Sequence, residues 1–341
     1  LPFVLFAIVF AFALFEGALR LFDQPRYDTC WVSGNDQWRE DPVLGFSYEP
    51  GGNVAGGTVN AIGLRGPVPQ QRKPEGTRRI LYVGDSTAFG FGVSDDETFW
   101  SLATREIGAQ HPDRIYEPLV AAAPGYSSYQ SRVLVDRMLP FAPDWVVFYV
   151  GAHNDERRRS YYVDADIPAR AARRQAAWHQ IRTLQAGEFL IDRFRRWLGK
   201  RFHRSIWFRR VPPDTFEANM RAMIAAARAA GAQPLILVPP LSDSLLERYA
   251  STPVYHDILR KIAAEMGVPR VELQPVFAEH DASDVYRAGD DVHPSPLGQR
   301  LIARAIARAI EDEERTKKSI PTPATEEDYS TDRRCCRRSA S

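Results

Sequence analysis

The sequence has 341 residues, which suits one α/β domain with insertions or two domains. Hydrophobic residues make up 44% and charged residues 26%, with 44 Lys and Arg against 43 Asp and Glu. This balance excludes collagen-like chains, fully disordered chains and a globally basic nucleic-acid-binding protein. The three cysteines, Cys30, Cys335 and Cys336, lack the spacing of a disulfide framework or a zinc site.

The first segment begins with fifteen residues that include no polar side chain. A spanning helix needs about 17 to 25 apolar residues, and continuation through Leu19 approaches that length, so residues 1–22 predict a single-pass transmembrane anchor. A cleaved signal peptide is the alternative, because Ala11-Phe12-Ala13 fits a small-x-small cleavage pattern. Both interpretations predict a periplasmic domain, and the anchor would make the lipid bilayer a partner. Residues 23–79 are predicted to be a linker and lead-in.

From residue 80 onward, short apolar runs alternate with helical patterns. The apolar runs predict strands covered on both faces, and they lie at 80–83, 145–150, 235–238 and 268–273. The patterns with helical spacing lie at 99–107, 131–139, 216–230, 259–266 and 296–310. This alternation predicts a three-layer α/β/α domain over residues 80–311, with a doubly wound, mainly parallel sheet. Residues 312–341 are rich in charge, Ser, Thr and Pro, which predicts a disordered tail.

Two short motifs carry the chemistry. Gly84-Asp85-Ser86 ends the first predicted strand and puts Ser86 where a nucleophile belongs, because active sites of doubly wound sheets lie at the carboxyl ends of the strands. Asp290 precedes His293 by three residues, a spacing that lets the carboxylate fold back onto the imidazole and fix its tautomer. Each motif alone is a weak signal, so their combination carries the prediction.

Two further segments lie between these motifs: Ala123-Pro124-Gly125-Tyr126-Ser127-Ser128-Tyr129-Gln130 and Gly151-Ala152-His153-Asn154-Asp155. The four blocks in this order resemble the signature of the SGNH (GDSL-type) esterases and acyltransferases. The segment from Asn60 to Gly66 is similar to a lead-in found in membrane-anchored bacterial members. No G-x-S-x-G elbow points to an ordinary α/β-hydrolase instead.

The resemblance implies a flavodoxin-like fold and a role for each matching residue. Ser86 would be the nucleophile, His293 the general base and Asp290 the residue that orients it. The oxyanion hole would combine the Ser86 and Gly125 backbone N–H groups with the Asn154 side-chain amide. The third block departs from the family pattern, since two residues rather than one separate its Gly from its Asn. The extra His153 could contact substrate, but a structural or solvent-facing role is the favoured interpretation. We expect no metal and no cofactor.

An insertion at residues 156–213 holds fifteen Arg and Lys against five Asp and Glu. Apolar residues recur within 189–202 at helical spacing, which predicts a basic amphipathic helix. It could contact anionic lipid, attract an acidic glycan or pack as a cap on the domain. Export would place it away from nucleic acid.

The resulting hypothesis is a membrane-anchored serine esterase that acts on O-acyl esters of carbohydrate, O-acetyl esters above all. One alternative is an O-acyltransferase that modifies an exported polysaccharide with the same triad. The other is a non-catalytic polysaccharide-binding or assembly protein.

Overall fold

A computed structural model describes residues 2–21, 38–151, 153–159, 163–169, 171–172 and 208–319. The strands are β1 (Trp38–Asp41), β2 (Gly45–Tyr48), β3 (Asn53–Val54), β4 (Gly57–Thr58), β5 (Thr77–Gly84), β6 (Ile115–Ala122), β7 (Trp145–Tyr149), β8 (Arg158–Arg159), β9 (Phe208–Arg209), β10 (Gln233–Val238) and β11 (Arg270–Glu272). The helices are α1 (Pro2–Leu21), α2 (Ser86–Phe89), α3 (Phe99–Gln110), α4 (Ser128–Met138), α5 (His153–Glu156), α6 (Pro213–Ala229), α7 (Asp243–Arg248), α8 (Thr252–Met266), α9 (Leu273–Ala278), α10 (Ala282–Val285) and α11 (Pro296–Ser319).

The central sheet has five strands in the order β11-β10-β7-β5-β6, and every neighbouring pair is parallel. Helices α3 and α11 pack together, while α4, α6 and α8 form a second group. Helix α3 connects β5 to the edge strand β6, and α4 connects β6 back past β5 to β7. Because both crossovers are right-handed and run in opposite directions, the two helices lie on opposite faces of the sheet. The predicted α/β fold with a parallel sheet is therefore confirmed. The strand order reverses between β5 and β7, the place where such sheets bind ligands.

Strand β5 shows why the apolar runs form the centre of the sheet. Its residues Ile80 to Val83 are buried on both faces. The partner strand β6 was not predicted, since Glu117 and Pro118 interrupt its apolar character. Glu117 accepts a hydrogen bond from the fully buried Arg79 at 3.0 Å. This ion pair lies at a position where the apolar pattern of a buried strand predicts an apolar residue.

The helices follow the predicted positions with shifted ends. Helix α4 begins at Ser128, three residues earlier than predicted, because Ser127 and Gln130 form a capping box. Helix α11 continues to Ser319, past the predicted end at residue 310, through charged residues that favour helix. The start of the predicted disordered tail is therefore helical, and residues 320–341 lie outside the described part of the chain. Gln299 Oε1 in α11 accepts a hydrogen bond from Phe99 N–H at the start of α3, at 2.8 Å.

The lead-in differs from the prediction, because it is part of the domain from Trp38 onward. The antiparallel hairpins β1–β2 and β3–β4 bury Leu44, Phe46, Tyr48 and Val59 against the core. Their strands are only two to four residues long, too short for a periodic signal. Residues 22–37 lie outside the described residues.

The predicted transmembrane helix over residues 1–22 is not found as such. Helix α1 does form over Pro2–Leu21, but among the described residues no helix combines the length and the apolar character needed to cross a bilayer. Glu16 interrupts the apolar run that the prediction extended through Leu19, and Arg20 directly follows that run. The predicted basic helix at 189–202 falls outside the described residues.

Candidate active site

Ser86 lies just beyond the carboxyl end of β5, an inner strand of the sheet. The Asp85 side chain caps α2 by accepting a hydrogen bond from Thr87 N–H at 2.9 Å. Gly84 is required just before the cap, because a Cβ there would lie 2.1 Å from the Tyr149 carbonyl oxygen on β7. The close approach of β5 to β7 thus fixes the backbone from which Ser86 projects.

The three residues of the predicted triad come together. Ser86 Oγ lies 2.8 Å from His293 Nε2, and His293 Nδ1 lies 2.6 Å from Asp290 Oδ2. The loop between α10 and α11 carries both His293 and Asp290. Asp290 Oδ1 also accepts the backbone N–H groups of Val292 and His293, at 2.9 and 3.1 Å. The loop therefore folds back as the three-residue spacing predicts.

The electrostatics suit a base held in one tautomer. Burial by itself raises the pKa of Asp290, but the hydrogen bond and charge of His293, together with the two backbone donors, hold that pKa well below its usual range. Asp290 thus remains a carboxylate that accepts a hydrogen bond from His293 Nδ1–H and leaves Nε2 free to take the Ser86 proton. Phe91 stacks on the His293 ring, with centroids 4.3 Å apart and planes at 21°.

Gly125 and Asn154, two of the predicted oxyanion donors, lie beyond the carboxyl ends of the two strands that flank β5. In the sheet register, Gly84 is level with Ala122 of β6 and with Tyr149 of β7. Gly125 follows β6, and Asn154 lies in α5, after β7. Asn154 Nδ2 donates to Asp85 Oδ2 at 3.2 Å, which fixes the amide beside the residue that precedes Ser86. Gly125 has φ of +80°, a conformation that favours glycine.

The irregular third block has a steric explanation. His153 is buried, and its Nδ1 lies 3.7 Å from Asp85 Oδ2. Burial lowers the pKa of His153, although the Asp85 carboxylate opposes this effect. A Cβ on Gly151 would lie 2.6 Å from Asp85 Oδ2 and 3.0 Å from His153 Nδ1. Gly151 thus gives the extra histidine room against Asp85, and Asn154 still reaches the site.

Asp155, the last residue of the third block, supports the site through contacts that the sequence does not reveal. Its buried carboxylate accepts hydrogen bonds from Ser128 N–H, at 3.0 Å, and from Ser128 Oγ. Asn219 Nδ2 donates to the same hydroxyl at 3.2 Å. Burial raises the pKa of Asp155 to about 7. The network ties the third block to Ser128 of the second block, where α4 begins.

Arg65 also supports the site, and it lies within the Asn60–Gly66 lead-in, a segment that could have revealed it. It is buried, yet its guanidinium donates to the carbonyl groups of Phe89, Gly90 and Val93 at 3.0, 2.6 and 2.8 Å. Its Nε also donates to Asp95 at 2.5 Å. Arg65 therefore holds the segment directly after the nucleophile helix. Among the described residues, no cluster of three or more His, Cys, Asp or Glu is arranged to hold a metal.

A serine, a histidine and an aspartate hydrogen-bonded in series at the carboxyl edge of a doubly wound sheet are typical of esterases. The chain belongs to the GDSL-like lipase/acylhydrolase family, whose model matches residues 82–301. It is an ester-hydrolysing enzyme. This result favours the catalytic hypotheses over the hypothesis of a non-catalytic binding protein. No curated protein shows significant similarity to the chain.

Several solved structures are similar to the chain at low identity. A lipase/acylhydrolase from Enterococcus faecalis is 18% identical, with a TM-score of 0.47 over 72% of this chain and 100% of that one. An acetyl xylan esterase from Geobacillus stearothermophilus is 17% identical, with a TM-score of 0.46 over 68% of this chain and 94% of that one. A psychrotrophic esterase from Pseudoalteromonas is 16% identical, with a TM-score of 0.45 over 70% of this chain and 99% of that one.

Proposed function

We propose that the protein hydrolyses O-acyl esters through an acyl-enzyme formed on Ser86. The observation that carries this proposal is the continuous hydrogen-bonded series from Ser86 Oγ through His293 to Asp290, with distances of 2.8 and 2.6 Å. Such a series lets a neutral serine hydroxyl act as a nucleophile, because its proton moves to the imidazole as the oxygen attacks.

The first half of the reaction forms the acyl-enzyme. Ser86 Oγ bonds to the ester carbonyl carbon, its proton passes to His293 Nε2, and the carbonyl π-electron pair moves to the oxygen. When the tetrahedral intermediate collapses, the bond to the leaving alkoxide breaks and His293 returns the proton to that alkoxide. The carboxylate of Asp290 stabilises the imidazolium between these steps.

The second half releases the acid. Water attacks the acyl carbon and gives one proton to His293, and the bond to Ser86 Oγ breaks as His293 returns that proton to the serine. The Ser86 and Gly125 backbone N–H groups and the Asn154 amide are the proposed donors to the negative oxygen in both halves. Preorganised donors of this kind typically supply about 10² to 10³ in rate each.

The proposed substrate class is an O-acetyl ester of carbohydrate. The resemblance of the four blocks and of the lead-in to membrane-anchored family members supports this assignment. A fold or family alone does not define the substrate, so the products must be measured. If an added sugar hydroxyl took the place of water, the same triad would perform O-acyl transfer.

We also propose that α1 takes the domain to the periplasmic side and associates it with the bilayer. Phe3, Phe6 and Phe10 in α1 have exposures of 81, 67 and 55%, and a contiguous apolar surface of this kind typically marks a membrane or protein contact. A fusion of alkaline phosphatase to the C-terminus tests the location. Phosphatase activity in cells would support export, and its absence would contradict it.

The experiment that tests the activity uses the full-length protein with p-nitrophenyl acetate and with O-acetylated oligosaccharides. We expect turnover that is lost in Ser86→Ala and His293→Ala, and labelling of Ser86 by a phosphonate. Free acetate alone would indicate hydrolysis, and acetate on an added oligosaccharide acceptor would indicate transfer. Turnover retained by a folded Ser86→Ala would refute the proposed mechanism.

A further inference from the structure

Two buried side chains outside the triad hold the peptide groups on either side of Gly125. Tyr48 Oη donates a hydrogen bond to the Pro124 carbonyl oxygen at 3.2 Å. Arg210 Nη1 donates to the Gly125 carbonyl oxygen at 2.7 Å. Because a peptide group is planar, the Pro124 carbonyl and the Gly125 N–H point in fixed and opposite directions. The Tyr48 hydroxyl therefore sets the direction of the Gly125 N–H.

The Tyr48 side chain is itself held in place. It projects from β2 and is 1% exposed. Its ring packs edge-on against Phe46, with centroids 6.0 Å apart, and near Phe89 of the nucleophile helix, with centroids 6.5 Å apart. The lead-in hairpin thus presents a fixed hydroxyl to the second block.

Arg210 is held from the other side of the loop. It directly follows β9 and is 1% exposed. Its Nη2 lies 2.9 Å from Asp164 Oδ2 in an ion pair whose two side chains are almost completely buried. Asp164 Oδ2 also accepts the Ser127 hydroxyl at 2.7 Å. Both ends of the predicted insertion, 163–169 and 208–211, thereby contact the second block.

The Gly125 loop needs such support. Gly125 has a φ of +80° and no side chain, so its own sequence does little to fix the plane of the preceding peptide. An oxyanion donor contributes only when it points to the position where negative charge develops. A hydroxyl on the Pro124 carbonyl also polarises the peptide and strengthens the N–H as a donor.

We infer that Tyr48 and Arg210 are positioning residues, which aim the Gly125 N–H at the carbonyl oxygen of the substrate in the transition state. This inference rests on the proposed function, in which Gly125 is an oxyanion donor. It links the lead-in and the insertion, two segments outside the four blocks, to the chemical step.

Tyr48→Phe tests the inference, and Tyr126→Phe is its matched control. Tyr126 is also buried, and its hydroxyl donates to the Phe46 carbonyl in the same hairpin at 2.8 Å. Both variants remove one buried hydroxyl bond between hairpin and second block, but only Tyr48 bonds the peptide that contains the Gly125 N–H. With p-nitrophenyl acetate and full-length protein, we expect Tyr48→Phe to lower kcat about 10-fold with little change in KM. Tyr126→Phe should retain kcat within about twofold.

A thionoester provides a readout that a merely structural role would not move. Sulfur is larger than oxygen and accepts hydrogen bonds weakly, so p-nitrophenyl thionoacetate gains little from oxyanion donors. We expect Tyr48→Phe to reduce the kcat/KM ratio of oxoester to thionoester about 10-fold, and Tyr126→Phe to leave it unchanged. Arg210→Lys keeps the charge opposite Asp164 but lacks the planar fork whose Nη2 pairs with Asp164 while Nη1 donates to the Gly125 carbonyl. Arg210→Lys should also reduce the kcat/KM ratio of oxoester to thionoester.

The outcomes separate this inference from the proposed function. If folded Tyr48→Phe lost kcat/KM equally for the oxoester and the thionoester, or kept the wild-type kcat, the inference would be overturned. The proposed function would still stand as long as turnover depended on Ser86. Retained turnover in Ser86→Ala would instead remove the function on which the inference rests. Thermal unfolding of each variant verifies that the compared proteins are folded.

Discussion

Asp85 Oδ2 and Asn154 Nδ2 are joined by a hydrogen bond of 3.2 Å, which connects the residue before the nucleophile to the side-chain donor of the proposed oxyanion hole. One carboxylate thus serves two elements, since its other oxygen caps the helix that begins at Ser86. A defect at Asp85 should therefore affect both the nucleophile and the donor.

We predict that Asn154→Ala lowers kcat by about 10² to 10³ with little change in KM, because it removes a donor needed mainly in the transition state. Asp85→Ala should also lower kcat and should reduce stability by about 1 kcal/mol through the lost cap. Steady-state kinetics and urea unfolding measure the two effects. An Asn154→Ala enzyme with wild-type kcat would exclude Asn154 from the oxyanion hole.

Asp290→Asn should lower kcat by about 10⁴, because an amide at this position favours the wrong imidazole tautomer. The fold should survive, as the substitution keeps the size of the side chain. Kinetics with p-nitrophenyl acetate measure the loss. Asp291→Asn is the control: its carboxylate pairs with Arg248 at 2.8 Å rather than with the imidazole, and it should retain most activity.

The depressed pKa of Asp290 also predicts a stability change in acid. A carboxyl whose pKa is lower in the folded state stabilises the fold above its unfolded pKa of about 3.9 and loses that contribution as the pH falls further. The free energy of unfolding of the wild type should therefore decline more steeply below about pH 4 than that of Asp290→Asn. If the free energies of unfolding of the wild type and Asp290→Asn fell in parallel with pH, the lowered pKa of Asp290 would be contradicted.

Asp155 predicts the opposite dependence in a higher pH window. Burial raises its pKa to about 7, so its contribution is fully present below the unfolded pKa of about 3.9 and is lost as the pH rises towards 7. The wild type should lose stability relative to Asp155→Asn over this range, with no further loss above it. Urea titrations between pH 4.5 and 8, chosen to bracket the shift, measure the difference. If the difference in the free energy of unfolding between the wild type and Asp155→Asn did not change with pH, the raised pKa of Asp155 would be refuted.

Arg65→Lys should destabilise the protein by about 1 to 3 kcal/mol, because one ammonium cannot satisfy three carbonyl groups and Asp95 together. Arg105→Lys is the matched control, since Arg105 donates to the Asp96 carbonyl at the exposed surface, and its effect should be within about 0.5 kcal/mol. Guanidinium unfolding gives both values. Equal effects at the two positions would argue against a bracing role for Arg65.

Residues that act through local sequence were the most predictable. The buried strands β5, β7 and β10 were predicted because their apolar runs reflect coverage on both faces. Ser86 and the pair Asp290 and His293 were found because a strand end and a three-residue spacing are visible in a single segment. The structure brings these residues to one place.

Residues that act through distant partners were not predictable. Arg210 and Asp155 look like ordinary charges in sequence, and their burial is apparent only once the second block packs beside them. Strand β6 was missed because Glu117 is neutralised by Arg79 from the neighbouring strand. In each case the determining contact lies far along the chain, where periodicity and spacing carry no information.

The bond between Phe99 and Gln299 has a consequence for how the enzyme gains activity. Ser86 and His293 are 207 residues apart, and closing so long a loop carries an entropic cost that local contacts do not repay. The docking of α11 on α3, with Gln299 accepting the Phe99 N–H, offsets part of this cost. His293 lies in the loop that directly precedes α11, so the base comes from a late part of the chain. A ribosome-bound chain that has not yet reached His293 holds its serine without a base, so synthesis itself delays the onset of hydrolysis.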